Sequence, residues 1–139
     1  MKSEREKFET VLAVDHDTNN LGVLKSILSL KGLDVLEATD GNEALDLATR
    51  WHPELILMDL KLPLVSGFTV VRRLKNLPTL RDVPIISFAV NKPTCHRKLA
   101  LAAGCSAHLD KPIDFEELEY LIDQFLPGHI LQLSSALVH

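Results

Sequence analysis

Long apolar runs are missing from this sequence of 139 residues, and none approaches the ~20 residues that a helix needs to cross a bilayer. The charged stretch at residues 1–7 also lacks the apolar segment of a signal peptide. The two cysteines, Cys95 and Cys105, form neither a CxxC pair nor a disulfide framework. Together these absences predict a cytoplasmic protein with reduced thiols and no membrane span.

A strong excess of one charge sign is missing as well. The sequence carries 15 Lys and Arg residues against 19 Asp and Glu residues, a net charge of −4, and the basic residues are scattered along the chain. A nucleic-acid-binding protein would show a basic cluster, so we expect no nucleic-acid partner. No glycine-rich loop follows any apolar run, which argues against a nucleotide or flavin site.

What the sequence does contain is five apolar runs of strand length, separated by longer segments of helical periodicity. The runs lie at residues 11–14, 33–37, 55–58, 83–88 and 107–109, of which the second and the last are weaker. This alternation predicts a doubly wound α/β domain, a parallel sheet with helices on both faces. Burial on both sides explains why the runs are continuously apolar. We predict one domain over residues 10–126, an arm at 1–9 and a tail at 127–139.

Several of the predicted helices have recognisable ends. Gly32 and Gly104 stand where the first and fourth helices would end. Asp40 opens the second helix, which closes before Pro53. Asp114 is the predicted N-cap of the fifth helix, because a capping-box-like acidic residue follows it three positions later.

Polar residues follow three of the apolar runs. The first run ends in Asp15, His16 and Asp17, the third ends in Asp59, and Lys111 follows the fifth. The carboxyl ends of parallel strands form the site of such a fold, so these side chains should meet. Neighbouring carboxylates repel each other, and a divalent ion such as Mg²⁺ would relieve that repulsion. A carboxylate, a metal and a lysine are the parts of an aspartyl-phosphate site.

Residues 57–67 and 104–112 resemble the phosphoacceptor strand and the Lys-Pro turn of the receiver domain of two-component response regulators. The resemblance covers about residues 10–126. It implies a flavodoxin-like fold, in which a five-stranded parallel sheet has the strand order 2-1-3-4-5.

The resemblance also implies roles for individual residues. Asp59 would accept a phosphoryl group, and Lys111 would contact that group. Asp15, Asp59 and the backbone carbonyl of Lys61 would bind Mg²⁺. The peptide bond between Lys111 and Pro112 would be cis, as X-Pro bonds can be at low cost.

The sequence departs from the family at three positions. His16 replaces the second of two adjacent acids, and Asp17 follows one place later, so either residue is a candidate metal ligand and Mg²⁺ binding should be weak. Ala89 stands where the family has Ser or Thr, and Ser87 lies too far back along the strand to substitute. His108 replaces the switch aromatic and is expected to be half-buried or at the surface.

These residues predict a single-domain response regulator that accepts a phosphoryl group on Asp59 from a histidine kinase or phosphotransfer protein. It would signal through contacts with a downstream protein, as a monomer or weak dimer, and would not be an enzyme. The departures leave open an alternative, a pseudo-receiver adaptor that acts without phosphorylation.

A second alternative is an enzyme. Asp15 and Asp17 resemble the nucleophile and general acid of haloacid-dehalogenase-type phosphatases. The chain is short for that superfamily, and this hypothesis leaves Asp59 unexplained.

Overall fold

A parallel sheet of five strands forms the centre of the molecule, and its strand order is β2-β1-β3-β4-β5. The computed structural model describes residues 9–90 and 96–126. The strands are β1 (Thr10–Val14), β2 (Asp34–Ala38), β3 (Leu55–Asp59), β4 (Ile85–Val90) and β5 (Ala107–Lys111). The helices are α1 (Thr18–Leu30), α2 (Gly41–Trp51), α3 (Gly67–Lys75), α4 (His96–Ala103) and α5 (Phe115–Phe125). The predicted fold class and strand order are confirmed.

The core has two halves because side chains alternate across the strands. Leu12 and Ile56 belong to a cluster with residues of α2, α3 and α4. Val11 and Leu57 belong to a second cluster with residues of α1 and α5. All five residues of β3 are buried, as expected for a strand covered on both faces.

The helix ends follow the sequence signals. The Asp114 side chain accepts hydrogen bonds from the backbone N–H groups of Glu116 and Glu117, which confirms it as the N-cap of α5. Gly32 and Gly104 follow α1 and α4 with φ values of 80° and 120°, a conformation that favours glycine.

The fourth strand begins later than the apolar pattern predicts. Val83 belongs to a turn, since its N–H donates to the Leu80 carbonyl at 3.1 Å. Pairing with β3 begins at Ile85, and β4 continues to Val90. The prediction of 83–88 was therefore wrong by two residues at each end.

The fifth strand is longer than predicted. It continues through Asp110 and Lys111, which pair with Ala89 and Val90 of β4. A hydrophobic pattern cannot reveal these two positions because their side chains are polar. This extension places Lys111 at the carboxyl edge of the sheet.

No helix among residues 9–90 and 96–126 has the length and apolar character needed to cross a membrane. The predicted tail at 127–139, Cys95 and most of the predicted arm lie outside the described residues. Cys105 is a buried free thiol.

Candidate functional site

Three side chains meet at the carboxyl edge of the sheet. Asp15 directly follows β1, while Asp59 and Lys111 are the last residues of β3 and β5. The Lys111 amino group lies 2.8 Å from Asp59 Oδ2 and 3.4 Å from Asp15 Oδ2. The structure thus brings together residues that are 96 and 52 positions apart in the sequence.

Both carboxylates are buried, with only 2% of each residue exposed. Asp15 Oδ1 accepts a hydrogen bond from the backbone N–H of Asp17 at 2.9 Å, and its Oδ2 accepts one from the Asn20 amide at 3.3 Å. Asp59 Oδ1 accepts a hydrogen bond from the backbone N–H of Lys61 at 2.9 Å. These contacts fix the orientation of both carboxyl groups and leave Asp59 Oδ2 facing the lysine.

Burial raises the pKa of Asp59 above its ordinary value, although hydrogen bonds from Lys111 and from the N–H of Lys61 act in the opposite direction. The nearby charge of Asp15 adds to the rise. For Lys111, burial lowers the pKa, but the hydrogen bond and charge of Asp59 and the charge of Asp15 outweigh it. The net pKa of Lys111 is raised, so the site contains a fixed cation between two carboxylates.

His16 lies at the same edge and is half exposed. Its Nδ1 is 3.6 Å from Asp15 Oδ1 and 3.9 Å from Asp59 Oδ2. Asp15, His16 and Asp59 each offer a ligand atom, and these atoms all lie within 4.8 Å of one another. The two carboxylates and the imidazole are therefore close enough to bind one metal ion.

Asp17, the other predicted ligand candidate, has a different place. It is the N-cap of α1, and its Oδ1 accepts a hydrogen bond from the N–H of Asn19 at 2.8 Å. The described ligand cluster contains His16 and not Asp17. Asp17, which lies one position after the family's second acid, thus caps α1 and is not part of the ligand cluster.

A cleft of about 500 Å³ opens above Asp59 and is lined by His16, Lys61, Ala89 and Lys111 among others. Its volume lies in the range of small-molecule sites. Ala89 lies within β4 and contributes a methyl group to this cleft, so no hydroxyl is present at the predicted switch position. The peptide bond between Lys111 and Pro112 is cis, as expected.

His96 also lines the cleft, and sequence reasoning missed it. It is the first described residue after β4, at the start of α4, and its ring makes an edge contact with Phe68 with the ring centroids 6.2 Å apart. The sequence could have indicated His96 as a site residue by its position after the fourth strand, because that strand ends at the same edge of the sheet as Asp59.

His108 is fully buried, with 1% of the residue exposed, so the expectation of a half-buried or surface imidazole was wrong. It lies in β5 beside Ser87 of β4. The Ser87 hydroxyl supplies a hydrogen-bond partner that makes burial of the imidazole possible.

Comparison with known proteins agrees with this geometry. The sequence profile of the response regulator receiver domain matches residues 11–123. The polar-differentiation response regulator DivK of Brucella ovis is 32% identical over 118 residues, which cover 85% of this chain and 96% of DivK. The chain belongs to the response regulator receiver domain family.

Solved structures show the same fold. The chemotaxis response regulator CheY4 of Vibrio cholerae is 26% identical, with a TM-score of 0.80 over 86% of this chain and 100% of that chain. The receiver domain of the sensor histidine kinase PA1611 from Pseudomonas aeruginosa is 29% identical, with a TM-score of 0.80 over 87% and 99% of the two chains. That structure has a magnesium ion coordinated in its active site cleft.

Family membership places this chain in two-component signalling, and a phosphorelay role is consistent with its relatives. The phosphatase alternative is not favoured. It required Asp17 as a general acid, whereas the Asp17 carboxylate caps α1.

Proposed function

We propose that Asp59 accepts a phosphoryl group from a phosphohistidine on a histidine kinase or phosphotransfer protein. The observation that carries this proposal is the contact of 2.8 Å between Lys111 Nζ and Asp59 Oδ2, at the base of an open cleft. A buried carboxylate with a cation beside it and space above it suits attack on an incoming phosphoryl group.

The chemistry follows from this arrangement. A carboxylate oxygen of Asp59 attacks phosphorus, the new O–P bond forms, and the N–P bond of the donor histidine breaks. The N–H of Lys61 holds Oδ1 and so fixes the plane of the carboxyl group. The Lys111 ammonium contacts the carboxylate before the reaction and is close enough to stabilise the negative charge on the phosphoryl oxygens afterwards.

A divalent cation is part of the proposal, and its ligands would be Asp15, Asp59 and the backbone carbonyl of Lys61. Oxygen donors of this kind suit Mg²⁺, which when bound would neutralise charge on the phosphoryl oxygens. The imidazole of His16 is a poor ligand for Mg²⁺. The donor set therefore fits Mg²⁺ only in part, and its binding should be weak.

The phosphorylated domain would pass the signal by binding a downstream protein, as a monomer or weak dimer in the cytoplasm. The structure suggests a limited conformational response, because Ala89 offers no hydroxyl to the phosphoryl group. The alternative is an adaptor that binds its partner whether or not Asp59 is phosphorylated, and the relatives of this chain do not favour it.

Incubation with acetyl phosphate, followed by intact mass measurement, tests the proposal. The wild type and Asp46→Asn, an exposed carboxylate on α2, should each gain one phosphate, and Asp59→Asn should gain none. A phosphate on Asp59→Asn would show that the acceptor is another residue. If the wild type gains no phosphate from either acetyl phosphate or a phosphorylated phosphotransfer protein, the result supports the adaptor function.

A further inference from the structure

His16 stands between the two buried carboxylates of the site. Its Nδ1 is within 4 Å of an oxygen atom of Asp15 and of Asp59. Among residues 9–90 and 96–126, these three form the group of His, Cys, Asp and Glu side chains whose atoms converge closely enough to share a metal ion. The site thus offers one nitrogen and two oxygen ligands from side chains.

The separations of His16 Nδ1 from the carboxylate oxygens of Asp15 and Asp59 are closer to the ligand spacing of a tetrahedral metal site than to that of an octahedral one. Ligands at about 2.0–2.1 Å from a tetrahedral Zn²⁺ are about 3.3–3.4 Å apart. Ligands at a similar distance from an octahedral Mg²⁺ are about 2.9 Å apart at adjacent corners. The observed separations of His16 Nδ1 from the two carboxylate oxygens are 3.6 and 3.9 Å, so small movements would bring the imidazole to a tetrahedral spacing from each of these oxygens.

The ligand types favour the same ion. Zn²⁺ binds imidazole nitrogen and carboxylate oxygen readily, whereas Mg²⁺ binds oxygen and rarely nitrogen. Three protein ligands and one open position are also usual for a zinc site that remains accessible to small molecules. His16 is half exposed and lines the cleft, so an ion from solvent can reach its ring.

The loop after β1 keeps His16 in this position. The N–H of Asp17 donates to Asp15 Oδ1, which closes a tight turn around His16. The Asp17 carboxylate is engaged by the N–H of Asn19. An all-oxygen site that used Asp17 would have to give up the cap of α1, and this cost favours the imidazole as the third ligand.

We propose that Asp15, His16 and Asp59 form a mixed nitrogen–oxygen site that binds Zn²⁺ in preference to Mg²⁺, and that bound zinc restrains phosphorylation of Asp59. The inference rests on the position of Asp59 in the proposed function. Zinc on Asp59 Oδ2 would compete with Lys111 Nζ, which contacts the same oxygen at 2.8 Å. Zinc on this oxygen would therefore remove the lysine contact that the proposed phosphoryl transfer uses.

Titration calorimetry of the metal-free protein with Zn²⁺ and with Mg²⁺ tests the binding site without any phosphodonor. The wild type should bind one Zn²⁺ more tightly than Mg²⁺. His16→Ala should weaken Zn²⁺ binding about tenfold or more, and His16→Asp should weaken Zn²⁺ and tighten Mg²⁺ about tenfold. His52→Asn, which removes an exposed imidazole at the end of α2, is the control and should change neither affinity.

Two results would overturn the inference. One is a Zn²⁺ affinity of His16→Ala equal to that of the wild type. The other is a wild type that binds Mg²⁺ as tightly as His16→Asp does. Circular dichroism melting of each variant checks that the fold is kept, and His16→Asp provides an independent reading because it should gain Mg²⁺ affinity.

Acetyl phosphate labelling with and without Zn²⁺ tests the restraint on phosphorylation. Zinc should slow labelling of the wild type and have little effect on His16→Ala, and equal slowing of both proteins would overturn the restraint. If the wild type is never labelled but binds Zn²⁺ through His16, the proposed function fails and the metal site stands. If labelling is normal and His16→Ala keeps full Zn²⁺ affinity, the metal site alone fails.

Discussion

The Ser87 hydroxyl oxygen lies 2.8 Å from Nδ1 of His108, and both side chains are buried. The two residues are direct partners in the pairing of β4 with β5. Nε2 of His108 has no hydrogen-bond partner among the described residues and lies 3.6 Å from Asp110 Oδ1. A proton on Nε2 is therefore favoured by the carboxylate, and Ser87 then donates to Nδ1. This hydrogen bond holds the ring of His108 in the interior at the predicted switch position.

Loss of the Ser87 hydroxyl should destabilise the domain. In Ser87→Ala the buried Nδ1 of His108 loses its partner, and an unsatisfied buried polar atom costs about 1–3 kcal/mol. Urea unfolding at pH 7.5 should show a loss of this size. In a double variant, Ser87→Ala with His108→Leu, neither polar group remains, so the cost should be smaller than the sum of the two single costs. Additive costs would show that the two side chains do not depend on each other.

Stability should depend on pH through His108. Burial lowers the pKa of the imidazole, an effect that Arg97 and His96 reinforce and that the charge of Asp110 opposes. The unfolded chain therefore binds a proton at about pH 6.5 that the folded chain does not, and the linked stability is present above that pH and lost as pH falls below it. The free energy of unfolding should drop more between pH 7.5 and 5.5 in the wild type than in His108→Leu. Equal drops in both proteins would contradict the lowered pKa.

The order of strands and helices could be predicted from the sequence because it depends on runs of apolar residues, which fill the core on both faces of the sheet. Asp15, Asp59 and Lys111 could be placed together for a related reason, since each follows an apolar run and parallel strands end at one edge. The start of β4 and the end of β5 could not be predicted from apolar runs. Val83 is apolar but belongs to a turn, and Asp110 is polar but belongs to a strand.

The pattern of apolar residues also cannot predict contacts between individual side chains. Ser87 and His108 are 21 residues apart, and their hydrogen bond depends on the register of two strands. A one-residue change in that register would turn the two side chains to opposite faces. The same limit applies to Asp17, whose capping role depends on where α1 begins.

Gly67 should tolerate no side chain. A Cβ atom at this position would lie 2.6 Å from the Leu60 Cα and 2.7 Å from the Asp59 carbonyl oxygen, and both are backbone atoms that cannot yield easily. Gly67→Ala should therefore cost about 1–3 kcal/mol of stability, as other overpacked sites do. Gly22 of α1 is the matched control, because a Cβ there has no neighbour within 4 Å. Gly22→Ala should stabilise by about 0.5–1 kcal/mol through helix propensity, and a loss of similar size in both variants would contradict the steric explanation.

The switch position should respond to a restored hydroxyl. Ala89 is buried and lines the cleft with Asp59 and Lys111, so a Thr side chain at that position is placed to donate to a phosphoryl group on Asp59. A hydrogen bond to a charged group contributes about 1.5–3 kcal/mol, and a population shift between two conformations needs a difference of that order. Phosphorylation of Ala89→Thr should therefore change the NMR shifts of α4 and His108 more than phosphorylation of the wild type does. Ala89→Val is the control: the Val side chain has nearly the same shape as Thr but no hydroxyl, so this variant should respond like the wild type. If Thr and Val give the same enlarged response, the cause is packing at β4, and the missing hydroxyl does not limit the response of this domain.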